Sequence, residues 1–324
     1  MGAGRRIYFD ALRLARVGDR ALQRHARHGD ALILNVHAVS PQANPYGPPL
    51  RPELFERLLA WLVPRTRVGT LRDLEDDVGD LRRPRVVLSF DDGLKDFVEH
   101  ATPVLDRFGV RANQNVIGHA MQTGEAPWAL AVIDLLGAAP SAAVRRLRVP
   151  GFEGALTGDD DHAKERFGAA ITNHLKALEP EQRAPALGAL REQLGEVPAE
   201  RRTRMMDASD VAAARAAGHE IGSHSYAHES MEHLDDDAFL ADFRRSREAL
   251  REAGCDDITV YAFPNGSHRP GQADLLEREE VRHVLLVGER PTRPGAGTHT
   301  RLTLRGHTTA ELRSRAAAAL GVLG

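Results

Sequence analysis

One cysteine, Cys255, stands among 324 residues. Neither an internal disulfide nor a cysteine-built metal cluster can form from it. Phe, Trp and Tyr together make up 5% of the chain, too few for long stacking platforms on sugar polymers or single strands. The formal net charge is only -3, which argues against a general nucleic-acid binder, since phosphate contacts need a clustered basic surface. Long apolar runs are also missing. None reaches bilayer-spanning length, and no signal-peptide-like run follows the basic start Met1-Gly2-Ala3-Gly4-Arg5-Arg6. Gly2 superficially opens a myristoylation signal, but Arg6 occupies the place where Ser or Thr is needed. The expected location is the cytoplasm. No internal repeat is visible.

What is present suits a globular α/β protein. Hydrophobic residues make up 42%, enough for a sizeable core, and the length fits one large domain with an insertion or two domains. Residues 5–28 place Leu12, Leu14, Ala15, Val17 and Leu22 at helical spacing and predict an outer helix. Peripheral membrane contact by this segment is the lesser reading, because it lacks Trp and has few bulky apolar residues. Apolar runs over 31–36, 85–90, 110–118, 258–263 and 282–287, with 219–223, read as buried strands. The last of them is taken as the final strand. Helices are predicted over 52–62, 102–108, 209–217, 236–253 and 308–320. Residues 41–52 read as a Pro/Gly/Asn loop. Strand and helix alternating at this pace imply a parallel sheet or barrel. The stretch 120–204 differs: it is rich in Ala, Leu, Glu and Arg, with amphipathic helices over 164–178 and 185–194 and one strand over 144–149. The expected organisation is an N-terminal helical extension (1–30), a barrel (31–119 and 205–324) and a helical insertion or cap (120–204).

Two constellations carry chemistry. Ser89-Phe90-Asp91-Asp92-Gly93 ends a predicted strand with adjacent carboxylates, and His224-Ser225-Tyr226-Ala227-His228 follows another with two imidazoles four residues apart. Each alone has an ordinary explanation: a turn in the first case, an exposed helix face in the second. Together they supply three ligands and a spare carboxylate, the minimal kit for hydrolysis by metal-activated water. The spacing of the histidines predicts a helical turn with both rings on one side. One aspartate completes the ligand set, and the other is better used as a base. The donor set suits Zn2+, with Co2+ or Ni2+ as alternatives. His37, Asp91, Asp92, His224 and Asn265 all fall at C-terminal ends of predicted strands, where parallel barrels build their active sites.

With these motifs assembled, the chain resembles the polysaccharide deacetylase family (NodB homology, carbohydrate esterase 4). Ser89-Phe90-Asp91-Asp92-Gly93 is similar to its first motif, His224-Ser225-Tyr226-Ala227-His228 to its second, and Phe263-Pro264-Asn265-Gly266 to a variant of its third. Gly218-His219-Glu220-Ile221-Gly222-Ser223 is similar to the lead-in of the second. The resemblance implies a distorted (β/α) barrel, often of seven strands, that removes the N-acetyl group of an amino sugar. It implies Asp91 as general base, Asp92, His224 and His228 as metal ligands, and the backbone N–H of Asn265 at the oxyanion. There are three departures. Tyr261 and Ala262 stand where the usual third motif has an arginine that orients the base, and Arg301 is the expected substitute. The late Leu-x-His motif that supplies the general acid is not visible, and His37, in Asn35-Val36-His37-Ala38-Val39, resembles the N-terminal histidine thought to replace it in some relatives. The insertion is long for the family. The expected substrate is a small, lipid-linked or glycoconjugate precursor carrying an N-acetylated amino sugar. A deformylase or cyclic-amide hydrolase on the same fold, and a catalytically inactive carbohydrate-binding protein, are the alternatives.

Overall fold

The computed structural model of the chain describes residues 31–76, 83–288 and 297–319. The helix expected over 5–28 lies outside them. The chain forms two compact units: Met1–Ser40, Leu50–Thr123 and Met206–Gly324 in the first, Pro41–Pro49 and Gly124–Met205 in the second.

The strands of the first unit are Ala31–Val36 (β1), Arg67–Gly69 (β2), Arg85–Phe90 (β3), Asn113–Val116 (β4), Glu220–Ser223 (β5), Val260–Ala262 (β6), His283–Val287 (β7) and Thr298–Thr303 (β8). Every pairing among them is parallel, and seven strands close a ring in the order β1-β8-β7-β6-β5-β4-β3. The seam is β1 against β3, with Ala31 to Val36 opposite Arg85 to Phe90. Both strands are buried at every residue, as strands covered on both faces must be. β2 stays outside the ring. It pairs with the first half of β3, and β4 takes over at Ser89 and Phe90. The architecture is a distorted (β/α) barrel of seven strands, as the family resemblance implied.

The helices are Pro52–Leu62 (α1), Leu71–Asp76 (α2), Thr102–Arg107 (α3), Gly118–Thr123 (α4), Trp128–Ala138 (α5), Ser141–Arg146 (α6), Asp161–Lys176 (α7), Pro180–Leu194 (α8), Ala208–Ala216 (α9), Asp236–Glu252 (α10), Gln272–Arg278 (α11) and Thr309–Ala319 (α12). Among the described residues none is long and apolar enough to cross a membrane. Pro52 opens α1, where its fixed φ suits a helix and its missing N–H costs nothing. Phe55, Leu58, Leu59 and Leu62 then bury one face, each fully buried side chain contributing about 1.5–3 kcal/mol. Asp207 and Asp210 close a reciprocal capping box on α9. In the second unit, which holds α5 to α8, a separate apolar cluster forms around Leu136, Phe167, Ile171, Leu175 and Leu190.

Three sequence expectations change. The first half of the strand expected over 144–149 is the end of helix α6, because Ser141-Ala142-Ala143-Val144-Arg145-Arg146 holds helix formers directly after Pro140; only an isolated bridge, Val149 to Phe152, remains of the strand. Helix α8 begins at Pro180 and carries Pro185 inside it, so the expected start at 185 was late. The strand over 282–287 is not the last, because β8 follows it. Thr298-His299-Thr300-Arg301-Leu302-Thr303 has no apolar run, since its inward positions are polar.

Two buried histidines make the barrel sensitive to acid. His219 Nδ1 accepts from the Ala112 N–H at 3.2 Å, and His299 Nε2 lies 2.9 Å from His283 Nδ1. Burial pushes His219 down to about 4, helped by the Arg111 charge, and burial with the His283 charge pushes His299 down to about 4. Unfolded imidazoles titrate near 6.5, so below that pH the unfolded chain takes up protons the fold refuses, and stability falls until about pH 4. Each ring is expected to cost up to about 3 kcal/mol over that window. Urea unfolding at pH 7 and pH 4.5 should show the loss, and His219→Gln, which keeps an acceptor but cannot charge, should lose less.

Candidate active site

The C-terminal ends of β3 and β5, on either side of β4, deliver the carboxylates and the imidazoles. β3 releases the chain at Asp91 and Asp92. Asp92 adopts φ 73 and Gly93 φ 73, a left-handed pair that turns the second carboxylate away from the first. The Asp91 N–H still donates to Val36 O at 3.2 Å, so the turn is pinned to the end of β1. β5 ends at Ser223, and the His224 N–H donates to Val116 O of β4 at 2.9 Å.

The histidine pair is not helical, contrary to the sequence expectation. Ser225 at φ 65 and His228 at φ 56 coil the loop, Ser225 Oγ accepts from the His228 N–H at 2.8 Å, and Asp242 of α10 accepts from the Tyr226 and Ala227 N–H groups at 2.9 and 3.1 Å. The rings meet edge to face with centroids 5.0 Å apart. Four-residue spacing is served by a capped turn as well as by a helix, and the Ser225 and Asp242 caps select the turn.

Asp92 Oδ1 lies 3.5 Å from His224 Nε2 and 3.3 Å from His228 Nε2, and all three residues are buried. Donors about 2.0–2.1 Å from a tetrahedrally held ion stand about 3.3–3.4 Å from one another, so the spacing fits a small divalent cation. His224 Nδ1 is 2.7 Å from Ala262 O. A carbonyl only accepts, so Nδ1 carries the proton and Nε2 presents its lone pair to the site. Burial pushes His224 down to about 4 against the pull of Asp91, which keeps the ring neutral, as a ligand must be. Asp92 sits at about 2: burial pulls it up, but the hydrogen bond and electrostatic pull of His228 outweigh that.

Asp91 is held by three donors. Arg301 Nη1 and Asn115 Nδ2 lie 2.6 and 2.8 Å from Oδ1, and Asn35 Nδ2 lies 3.0 Å from Oδ2. Burial alone would raise this carboxyl, but the Arg301 guanidinium, through its charge and its hydrogen bond, holds it well below the usual carboxylate range. Arg301 comes from β8 and is fully buried. Its Nη1 also reaches Ser89 Oγ at 3.1 Å.

The structure thus joins Asp91 to Arg301, and Asp92 to His224 and His228. His37 follows β1 directly and is exposed; its charge acts on both aspartates, but it makes no hydrogen bond or ion pair among the described residues. Asn265 lies on the turn after β6, half-buried, with φ 59, on the strand whose Ala262 carbonyl holds His224. The turn is closed by Gly266 N–H to Phe263 O and Ser267 N–H to Pro264 O, and the Asn265 N–H takes part in neither. His299 sits near the start of β8, toward the opposite end of the barrel.

The family model for polysaccharide deacetylases matches residues 79–283. The chain belongs to the polysaccharide deacetylase family. Members of this family are amide hydrolases acting on N-acetyl groups. Among solved structures, this deacetylase is similar to IcaB from Ammonifex degensii, with a TM-score of 0.56 and 16% identity over 89% of this chain and 97% of that one. It is similar to the Streptococcus pyogenes deacetylase PplD in complex with acetate (0.56, 14%, 88% and 97%). It is also similar to a de-N-acetylase from Aggregatibacter actinomycetemcomitans (0.55, 14%, 87% and 99%). At these identities the likeness shows the fold. No curated protein sequence matches the chain.

Sequence reasoning missed Asn35, Asn115 and Asp242. A signal for the first two was present: polar side chains recur inside otherwise buried strands, as in Leu34-Asn35-Val36 and Asn113-Gln114-Asn115. A buried amide needs partners, and here the partner is the Asp91 carboxylate.

Proposed function

We propose that this deacetylase is a divalent-metal-dependent hydrolase that removes the N-acetyl group from an amino-sugar-containing substrate, small, lipid-linked or part of a glycoconjugate precursor. One observation carries the reading: Asp92 Oδ1 lies within 3.5 Å of both His224 Nε2 and His228 Nε2, beside the Asp91 carboxylate, which takes no part in that cluster. Asp92, His224 and His228 would hold the ion, Zn2+ by preference. Bound there, it supplies Lewis acidity, polarising the amide carbonyl and favouring water as nucleophile near neutral pH. Asp91 is ionised throughout the physiological range and takes the proton of the attacking water. The Asn265 N–H points to a role at the oxyanion. His37, exposed at the rim, donates the proton to the departing amine. Arg301 keeps Asp91 charged and oriented. The acetate held by the S. pyogenes deacetylase PplD is the product this chemistry releases. The lone, buried Cys255 suits a cytoplasmic site of action without requiring it.

Acetate release from N-acetylglucosamine oligomers, assayed before and after chelation, tests the proposal. Chelation should lower the rate more than about 100-fold, and added Zn2+ should restore it. An unchanged rate in protein shown by elemental analysis to be metal-free would refute it.

A further inference from the structure

Asn115 has an unusual seat. It stands opposite Gly222 in the parallel β4–β5 ladder and is fully buried. Its Nδ2 lies 2.8 Å from Asp91 Oδ1, 3.1 Å from Phe90 O and 3.1 Å from Ser89 Oγ. Asp91 and the Phe90 carbonyl only accept, so this end of the amide is the nitrogen. Its Oδ1 points to the neighbouring strand, where a Cβ on Gly222 would stand 2.3 Å away. Side chains do not approach that closely, and the amide cannot retreat without leaving Asp91. Gly222 is not among the positive-φ glycines, so backbone conformation does not require it. The space does.

We infer that Asn115 is a positioning residue for Asp91, and that position 222 is glycine because the Asn115 amide fills the volume of the missing side chain. Arg301 supplies charge from one side and Asn115 fixes direction from another. Both bind Oδ1, at 2.6 and 2.8 Å, whereas Oδ2 meets Asn35 alone at 3.0 Å. Oδ2 is therefore the oxygen with a lone pair left for a proton. The inference rests on the reading of Asp91 as base, and it adds that strand β5 controls this base from outside the ligand set.

A variant cycle tests it: Asn115→Ala, Gly222→Ala, the two combined, and Gly222→Ala with Val260→Ala. The last is needed because the same Cβ would also lie 3.0 Å from Val260 Cβ and Cγ1. With N-acetylglucosamine tetramer as substrate, Gly222→Ala should lower kcat by about tenfold to a hundredfold, with KM and zinc content close to wild type. The combined Asn115→Ala/Gly222→Ala variant should be no worse than Asn115→Ala, and Val260→Ala should restore nothing. Losses that multiply, full activity in Gly222→Ala, or rescue by Val260→Ala would overturn the inference. Should Gly222→Ala not fold, recovery of folding by Asn115→Ala but not by Val260→Ala is the same supporting result, and the reverse overturns it. Crystal structures separate this inference from the function beneath it. In Gly222→Ala, or in Asn115→Ala where that protein does not fold, the Asp91 carboxylate should move by about 0.5 Å or more; a carboxylate that has not moved sinks the inference. Wild-type protein that releases no acetate from any N-acetyl amino sugar refutes the proposed function, while the position of Asp91 still decides the role of Asn115.

Discussion

Asp91→Asn is expected to reduce deacetylation by about 10²–10⁴-fold, the usual weight of a positioned base, while the protein keeps its zinc. The side chain retains its size, and its remaining carbonyl oxygen can still accept from Arg301, but it can no longer take up a proton. The ligand set of Asp92, His224 and His228 is untouched, so metal stoichiometry by elemental analysis should equal that of wild type. That equality makes the result interpretable, because loss of metal would mimic loss of the base. Acetate release within about tenfold of wild type would assign the base to another group.

Arg301→Leu should produce the largest change in stability. Arg301 and Asp91 are buried almost completely and meet at 2.6 Å. Removing one partner of such a pair leaves a charge without compensation and costs about 3–5 kcal/mol. The pH dependence follows from the shift. In the wild type the guanidinium outweighs burial and holds Asp91 well below the usual range. Its stabilisation is therefore present above the unfolded carboxylate pKa and lost as pH falls through the folded one. Without Arg301, burial dominates and the Asp91 pKa rises, so the variant avoids its unpaired charge in acid by binding a proton. The deficit should be large at pH 8 and shrink toward pH 4. Urea unfolding of metal-free protein at both values measures it. Adding Asp91→Asn to Arg301→Leu should recover most of the loss at pH 8, because the uncompensated charge is gone. A deficit independent of pH would show that lost packing, not charge, is responsible.

The parts of the site that were legible in the sequence are those whose chemistry is contiguous. Asp91 and Asp92 follow an apolar run that can only be a covered strand, and His224 follows a glycine-stopped helix and a short strand. Such runs announce both the element and its end, so the candidate residues could be assigned to one rim before any contact was known. Asn35, Asn115 and Gly222 could not be found this way. Their significance lies in register, Asn35 beside Ser89 and Asn115 beside Gly222, and register between strands distant in sequence is not written in either strand alone. The local conformation of the histidine loop was also illegible, because the same spacing suits a helix or a turn until Asp242 arrives from α10 to cap it.

Taken alone, the amino-acid order determined the alternation of covered strands and amphipathic helices, hence a parallel sheet or barrel, and the ligand types at its rim, because burial pattern and side-chain chemistry are local properties. Closure of the ring through β1 and β3, the recruitment of Arg301 from a strand with no apolar run, and the choice of which carboxylate oxygen keeps a spare lone pair were decided only by tertiary structure. Each depends on distances between residues up to 266 positions apart, and the chain sets such distances only when it packs.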